Sequence, residues 1–138
     1  MNLFYDYHNK IINLLKKLDK KKIIIFHKNI RGITVDLPPQ NQNGDISCNA
    51  ALILAKINKC SPLEIANILR KHLLSHFKEF KIVDVAGPGF LNISFKNYFW
   101  KNVLTNIIKL KNKYGMKKAN KKKYNVEFVS ANPTGPLH

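Results

Sequence analysis

Two short runs with strand periodicity, Lys81 to Ala86 and Phe90 to Phe95, flank the triplet Gly87-Pro88-Gly89. Successive side chains of a strand fall on opposite faces, so Leu91, Ile93 and Phe95 share one face while Phe90, Asn92 and Ser94 share the other. With Pro at the first central position and Gly at the second, the connection reads as a type II turn: Pro presets the backbone angle and Gly tolerates the positive φ that follows. Whatever else the chain does, it must accommodate this hairpin.

The segments before the hairpin carry mostly helical signals. Leu3, Tyr7, Ile11, Leu14, Leu15 and Leu18 recur at helical spacing with lysines between them, which predicts an amphipathic helix over 2–20. Ser61-Pro62-Leu63-Glu64 is a capping box with Pro at the first helical position, opening a second helix that runs to about His76. On it His72 is read as a packed, hydrogen-bonded histidine. Ile23 to Phe26 and the alternating Ile33 to Leu37 are expected as strands, the latter ended by Pro38-Pro39. Asn43-Gly44-Asp45 is expected as a turn, with Asp45 the N-cap of a helix to about Asn58, and a last helix spans Asn97 to Leu110. The order α-β-β-α-α-β-β-α fits an α+β fold: a two-layer antiparallel sheet with helices on one face, over residues 1 to about 112.

Length and composition narrow the function. A chain of 138 residues holds one ordinary core, and eight Asp and Glu leave few candidates for paired-carboxylate chemistry or a calcium cage. The net charge of +16 attracts polyanions. Its sequence context weakens that inference: 22 Lys, 17 Asn and 16 Ile stand beside two Arg, as AT-rich coding DNA would produce. Cys48 and Cys60 are too few and too far apart for a disulfide scaffold or a Cys-x-x-Cys metal site, so reduced thiols in a cytoplasmic chain are expected, with no metal site. The apolar runs are too short to cross a bilayer, and no membrane partner is expected. Residues 109–123 carry eight lysines in fifteen positions and no acid, a linker by composition. Beyond them Tyr124 to Ser130 reads as one more strand, entering the turn Ala131-Asn132-Pro133-Thr134-Gly135-Pro136-Leu137-His138. An apolar strand entering such a turn is how α/β folds deliver a helix N-terminus to phosphate, although no Walker pattern follows. On composition alone an ordinary surface turn is the better reading.

The stretch Val126-Glu127-Phe128-Val129-Ser130-Ala131-Asn132-Pro133-Thr134-Gly135-Pro136-Leu137-His138 resembles the segment leading into the His-x-Gly-His signature of class I arginyl-tRNA synthetases. Gly44-Asp45-Ile46-Ser47-Cys48-Asn49 and Ala86-Gly87-Pro88-Gly89-Phe90-Leu91-Asn92-Ile93 are similar to that family's N-terminal additional domain, and the three blocks keep the family's order. The resemblance implies an N-terminal piece of an arginine–tRNA ligase. It would comprise a tRNA-binding domain over 1–112, a lysine-rich linker over 113–123, and over 124–138 the first strand of a Rossmann-like catalytic domain that stops at the first histidine of the signature. It implies ATP as a substrate, with its accompanying Mg2+, and arginine and its tRNA as partners of a monomer. Asn132, Pro133, Thr134, Gly135 and His138 would then belong to the ATP site, with His138 catalytic by stabilising developing charge. Glu127, Ser130 and Asn132 would line the arginine pocket, and Phe90 and Asn92 would contact a D-loop base at the tRNA elbow. A chain with one signature histidine is expected to be inactive alone.

The residues themselves leave alternatives open. An aromatic beside an amide on the non-core face of a strand suits stacking a base and bonding its edge, but Phe90 can equally fold over its own turn. Glu127 can pair with a lysine instead of a substrate cation. A stand-alone basic RNA-binding module and an interaction domain whose charge reflects codon usage are the competing readings.

Overall fold

The computed structural model describes residues 2–27, 29–116, 123 and 125–127. In chain order the elements are α1 (Leu3–Lys20), β1 (Val35–Asp36), β2 (Ile46–Cys48), α2 (Ala50–Asn58), α3 (Pro62–His76), β3 (Phe80–Ala86), β4 (Phe90–Phe95) and α4 (Asn97–Leu110), with a 3-10 turn at Lys111–Lys113. The four strands form one antiparallel sheet in the order β1-β2-β4-β3. The expected α+β class, with its antiparallel sheet and helices, is the one observed.

Burial follows the sequence pattern closely. The inward residues of β4, Leu91, Ile93 and Phe95, pack with Ile46 and Cys48 of β2, Val83 of β3, Leu54 of α2, and Ile65, Leu69 and Leu73 of α3 in one core. Each such buried aliphatic side chain contributes about 1.5–3 kcal/mol. The stripe of α1 closes this core through Tyr7, whose ring lies 4.8 Å from Phe95 and 5.6 Å from Phe80 between centroids. Its buried hydroxyl donates to Glu79 Oε1 at 2.9 Å. Burial first, and then that carboxylate, push the phenol pKa upward, so Tyr7 stays a neutral donor. In contrast, α4 buries no residue completely and is attached through Phe99, stacked on Phe95 at 4.1 Å, and Trp100.

Several expected elements are corrected. Ile23 to Phe26 is not a strand of the sheet: Ile23 and Ile24 form a bend after α1, with Ile23 N–H donating back to Leu18 C=O at 3.0 Å. Asn58 takes the place of a neighbouring strand: its Oδ1 accepts from Ile25 N–H at 2.6 Å and its Nδ2 donates to Ile25 C=O at 3.1 Å. Asp19 Oδ1 likewise accepts from Phe26 N–H at 2.9 Å. The strand expected over 33–37 contracts to Val35–Asp36, leaving Leu37 71% exposed.

Asp45 does not cap a helix. Its N–H donates to Ile93 C=O at 2.8 Å and its Oδ2 accepts from Phe95 N–H at 2.7 Å, so it prolongs the pairing of β2 with β4. Helix α2 begins instead after Asn49, whose side chain is turned away to bond Gly32 C=O and Thr34 N–H. The capping box of α3 forms as expected, Ser61 Oγ accepting from Glu64 N–H at 3.2 Å and Ser61 N–H donating to Glu64 Oε2 at 2.7 Å. His72 is half-buried beside a surface groove, and its carbonyl accepts from Ser75 Oγ at 3.0 Å. Of the strand expected over 124–130, residues 125–127 are described; they are exposed and carry no strand.

The hairpin exists, with a different turn. Gly89 N–H donates to Ala86 C=O at 3.3 Å, so Gly87 (φ +53) and Pro88 are the central residues. Glycine first is the order of a type II′ turn, whose twist suits a hairpin better than type II does. Gly89 (φ +137) follows, pressed against the start of α3: a Cβ there would lie 2.9 Å from Pro62 Cβ and 3.1 Å from Pro62 O. At Gly87 an added Cβ would meet nothing within 4 Å. Gly89→Ala should therefore cost about 2–3 kcal/mol and Gly87→Ala about 1 kcal/mol. Urea unfolding of the two variants checks this, and equal losses would contradict a close packing of the hairpin on α3.

Candidate nucleic-acid interface

The outer face of the sheet is built from the alternate residues of each strand. Register places Asp36 opposite Ser47, Ser47 opposite Asn92, and Asn92 opposite Asp84, a polar row running across all four strands. Phe90 begins β4 on this same face and is 39% exposed. Asn92, two residues on, is only 4% exposed.

The burial of Asn92 arises from the loop between β1 and β2. Ser47 Oγ donates to Asn92 Oδ1 at 2.7 Å, and Asn92 Nδ2 donates to Gln42 Oε1 at 2.8 Å. Gly44 (φ +134) lets the loop return directly over β4, since a Cβ there would lie 3.2 Å from Asn92 Cβ. Asn92 thus spends one acceptor and one donor on the protein. Gln42, itself exposed, accepts through its carbonyl oxygen, which leaves its amide protons for another partner.

Gln42 and Ser47, the two partners of Asn92, border a cavity of about 250 Å³, with Leu37, Pro39 and Phe90 as its apolar walls and Asp36 as a further polar one. The volume falls below the ~300 Å³ lower end of pockets for drug-sized ligands, so it suits one planar ring rather than a whole nucleotide. Asp36 at the wall disfavours a phosphate. An exposed aromatic ring, an apolar wall and amide groups together suit an uncharged, edge-bonded base.

Sequence alternation places Phe90 correctly on the non-core face and does not foresee the cover over Asn92. Gln42 and Leu37 go unrecognised because both lie in or beside an irregular loop, where neither period applies. The Pro38-Pro39 stop before the Gly44 turn is the available signal that this stretch folds back over the sheet.

The other expected site residues are separate from this pocket. Glu127 is exposed, while Ser130, Asn132, Pro133, Thr134, Gly135 and His138 lie outside the described residues. Cys48 is fully buried, which pushes its thiol up to about 12, and it packs in the core as a neutral side chain. Cys60 is exposed with its thiol on Asn58 C=O at 3.2 Å. Among the described residues no cluster of His, Cys, Asp and Glu could hold a metal ion, and no helix is long and apolar enough to cross a membrane.

The chain is 45% identical over its whole length to an arginine–tRNA ligase of Pelagibacter ubique, covering 24% of that protein. It is 44% identical to that of Ehrlichia chaffeensis, again over its whole length and 24% of the relative. It is 43% identical over 91% of its length to that of a Wolbachia from Brugia malayi, covering 22% of the relative. The chain therefore spans about a quarter of the length of these curated relatives. The family model described as "Arginyl tRNA synthetase N terminal domain" matches residues 6–95, from the first turn of α1 to the end of β4. The chain belongs to the arginyl-tRNA synthetase N-terminal domain family.

Proposed function

We propose that this chain is the N-terminal part of a cytoplasmic, monomeric arginine–tRNA ligase, which joins arginine to its tRNA at the expense of ATP. Residues 1 to about 112 grip the tRNA elbow, residues 113–123 tether them, and residues 124–138 begin the catalytic unit. The observation that carries the tRNA reading is the exposed Phe90 ring at the mouth of a base-sized pocket with amide walls. The names of the relatives supply the reaction.

In this reading Phe90 stacks on an unpaired D-loop base and Gln42 bonds its edge. Asn92 acts as a positioning residue: it holds the Gln42 carbonyl and thereby aims the amide protons into the pocket. Because stacking accepts any base while amide bonding discriminates, Phe90 provides most of the affinity and Gln42 the preference.

For the catalytic segment the resemblance supports separate roles. Glu127, Ser130 and Asn132 receive arginine, the carboxylate neutralising its guanidinium through paired N–H donors. Asn132, Pro133, Thr134, Gly135 and His138 lie along the ATP, where His138 stabilises charge that develops as the adenylate forms. Mg2+ accompanies the triphosphate, and the described residues offer it no ligand cluster.

Phe90→Ala should weaken tRNA binding by about 1–3 kcal/mol at constant salt, while leaving the thermal midpoint close to that of the parent because the ring is exposed. Unaltered binding in a filter titration would refute the stacking role. In a ligase of the relatives' full length, Glu127→Gln should raise the KM for arginine by about 10- to 100-fold, the equivalent of a lost charge-assisted bond, with tRNA affinity unchanged. An unchanged KM would remove Glu127 from the arginine pocket.

A further inference from the structure

The C-terminal turns of α1 and α3 border a second cavity, of about 330 Å³. Lys17, Lys20 and Lys21 line one wall and His72, Ser75 and His76 the other. Each wall repeats the spacing i, i+3, i+4, which places its three polar side chains on one face of its helix. Buried Leu14 and Leu18 form the floor.

Basic residues near helix C-termini are common because the helix dipole is negative there, so the dipole is the first explanation to weigh. Each helix end carries about half a negative charge. Two ends offset about one lysine of the three, before either imidazole is counted. Nor does a carboxylate complete the balance, since none lines the groove. Of the eight acids, Asp19 accepts from Phe26 N–H and Glu79 is engaged by Tyr7 and by Lys10 at 3.7 Å. Glu64 caps α3 at its far end, Asp6 lies in the first turn of α1, Asp36, Asp45 and Asp84 belong to the sheet, and Glu127 lies beyond α4. Even with the Asp19 carboxylate counted beside them, the three lysines leave the groove net positive over an apolar floor.

We propose that this groove is a second RNA site, one that seats the sugar–phosphate backbone. The inference rests on the reading of the chain as RNA-binding. Three lysine ammonium groups and the donors opposite them suit successive phosphates, and the leucine floor suits the apolar edges of the sugars. The groove is separate from the Phe90 pocket: Gly89 touches Pro62 at the start of α3, whereas His76 ends that helix. At 1.5 Å per residue the two ends of α3 stand about 20 Å apart. One tRNA could span both, with a base held at one end of α3 and its backbone at the other.

The test uses the 138-residue chain, a transcript of the arginine tRNA and a hexauridine, titrated over a series of salt concentrations. A Lys17→Ala/Lys20→Ala/Lys21→Ala variant is compared with a matched Lys109→Ala/Lys111→Ala/Lys113→Ala variant and with Phe90→Ala, each checked for an unchanged melting midpoint. The groove variant should lower the slope of log K against log salt by about two to three units for either RNA and weaken binding at least tenfold at low salt. The matched variant should change the slope by less than one unit, and Phe90→Ala should leave it unchanged. An unchanged slope in the groove variant, or an equal fall in the matched variant, overturns the groove. If the groove variant behaves as stated but the parent binds tRNA no better than hexauridine and Phe90→Ala has no effect, the groove stands and the tRNA-elbow reading falls.

Discussion

A primary amide on an interior strand must find partners, and the partners of Asn92 shape the outer face of this domain. An unpaired buried amide would cost about 1–3 kcal/mol. Ser47 meets its oxygen from the adjacent strand and Gln42 meets its nitrogen from the loop above. The loop can come this close because residue 44 is glycine, and it is fastened at its end by Asp45 to the backbone of β4. The same strand turns Leu91, Ile93 and Phe95 inward to the core. Thus β4 fixes the helices on one side and the Phe90 pocket on the other.

Legibility in the sequence divides along a physical line. Elements that carry their own period or caps were readable: α1 from its stripe, α3 from Ser61 and Glu64, the hairpin from alternation about Gly87-Pro88-Gly89. Elements that depend on a side chain replacing a backbone partner were not. Nothing local announces that Asn58 will pair with Ile25, that Asn49 will clamp Gly32 and Thr34, or that Asp45 will accept from Phe95 across fifty positions. Hence 23–26 reads as a strand and Asp45 as a cap. At the site the same division holds: Phe90 is legible from alternation, whereas the burial of Asn92 and the exposed amide of Gln42 depend on how a loop returns.

Charge alone also proved a coarse guide. The pocket beside Phe90 contains an aspartate and uncharged amides, while three lysines line the groove where α1 and α3 end. Two surfaces of unlike chemistry at opposite ends of α3 suit a folded RNA better than a diffuse basic coat does, because an unpaired base and a continuous backbone make different demands. The chain belongs to the arginyl-tRNA synthetase N-terminal domain family, and these two surfaces are the features on which the proposed tRNA role rests.

The central claim is that Gln42, held by Asn92, and Phe90 together form a base site. Its most direct test is a ¹H–¹⁵N titration of the chain with the D-stem-loop of the arginine tRNA, following the side-chain amides of Gln42 and Asn92 and the backbone of Phe90. The account predicts that Gln42 and Phe90 shift together and saturate with one Kd, while the Asn92 amide keeps its hydrogen-bonded position. Saturable binding with Gln42 and Phe90 unmoved would contradict it.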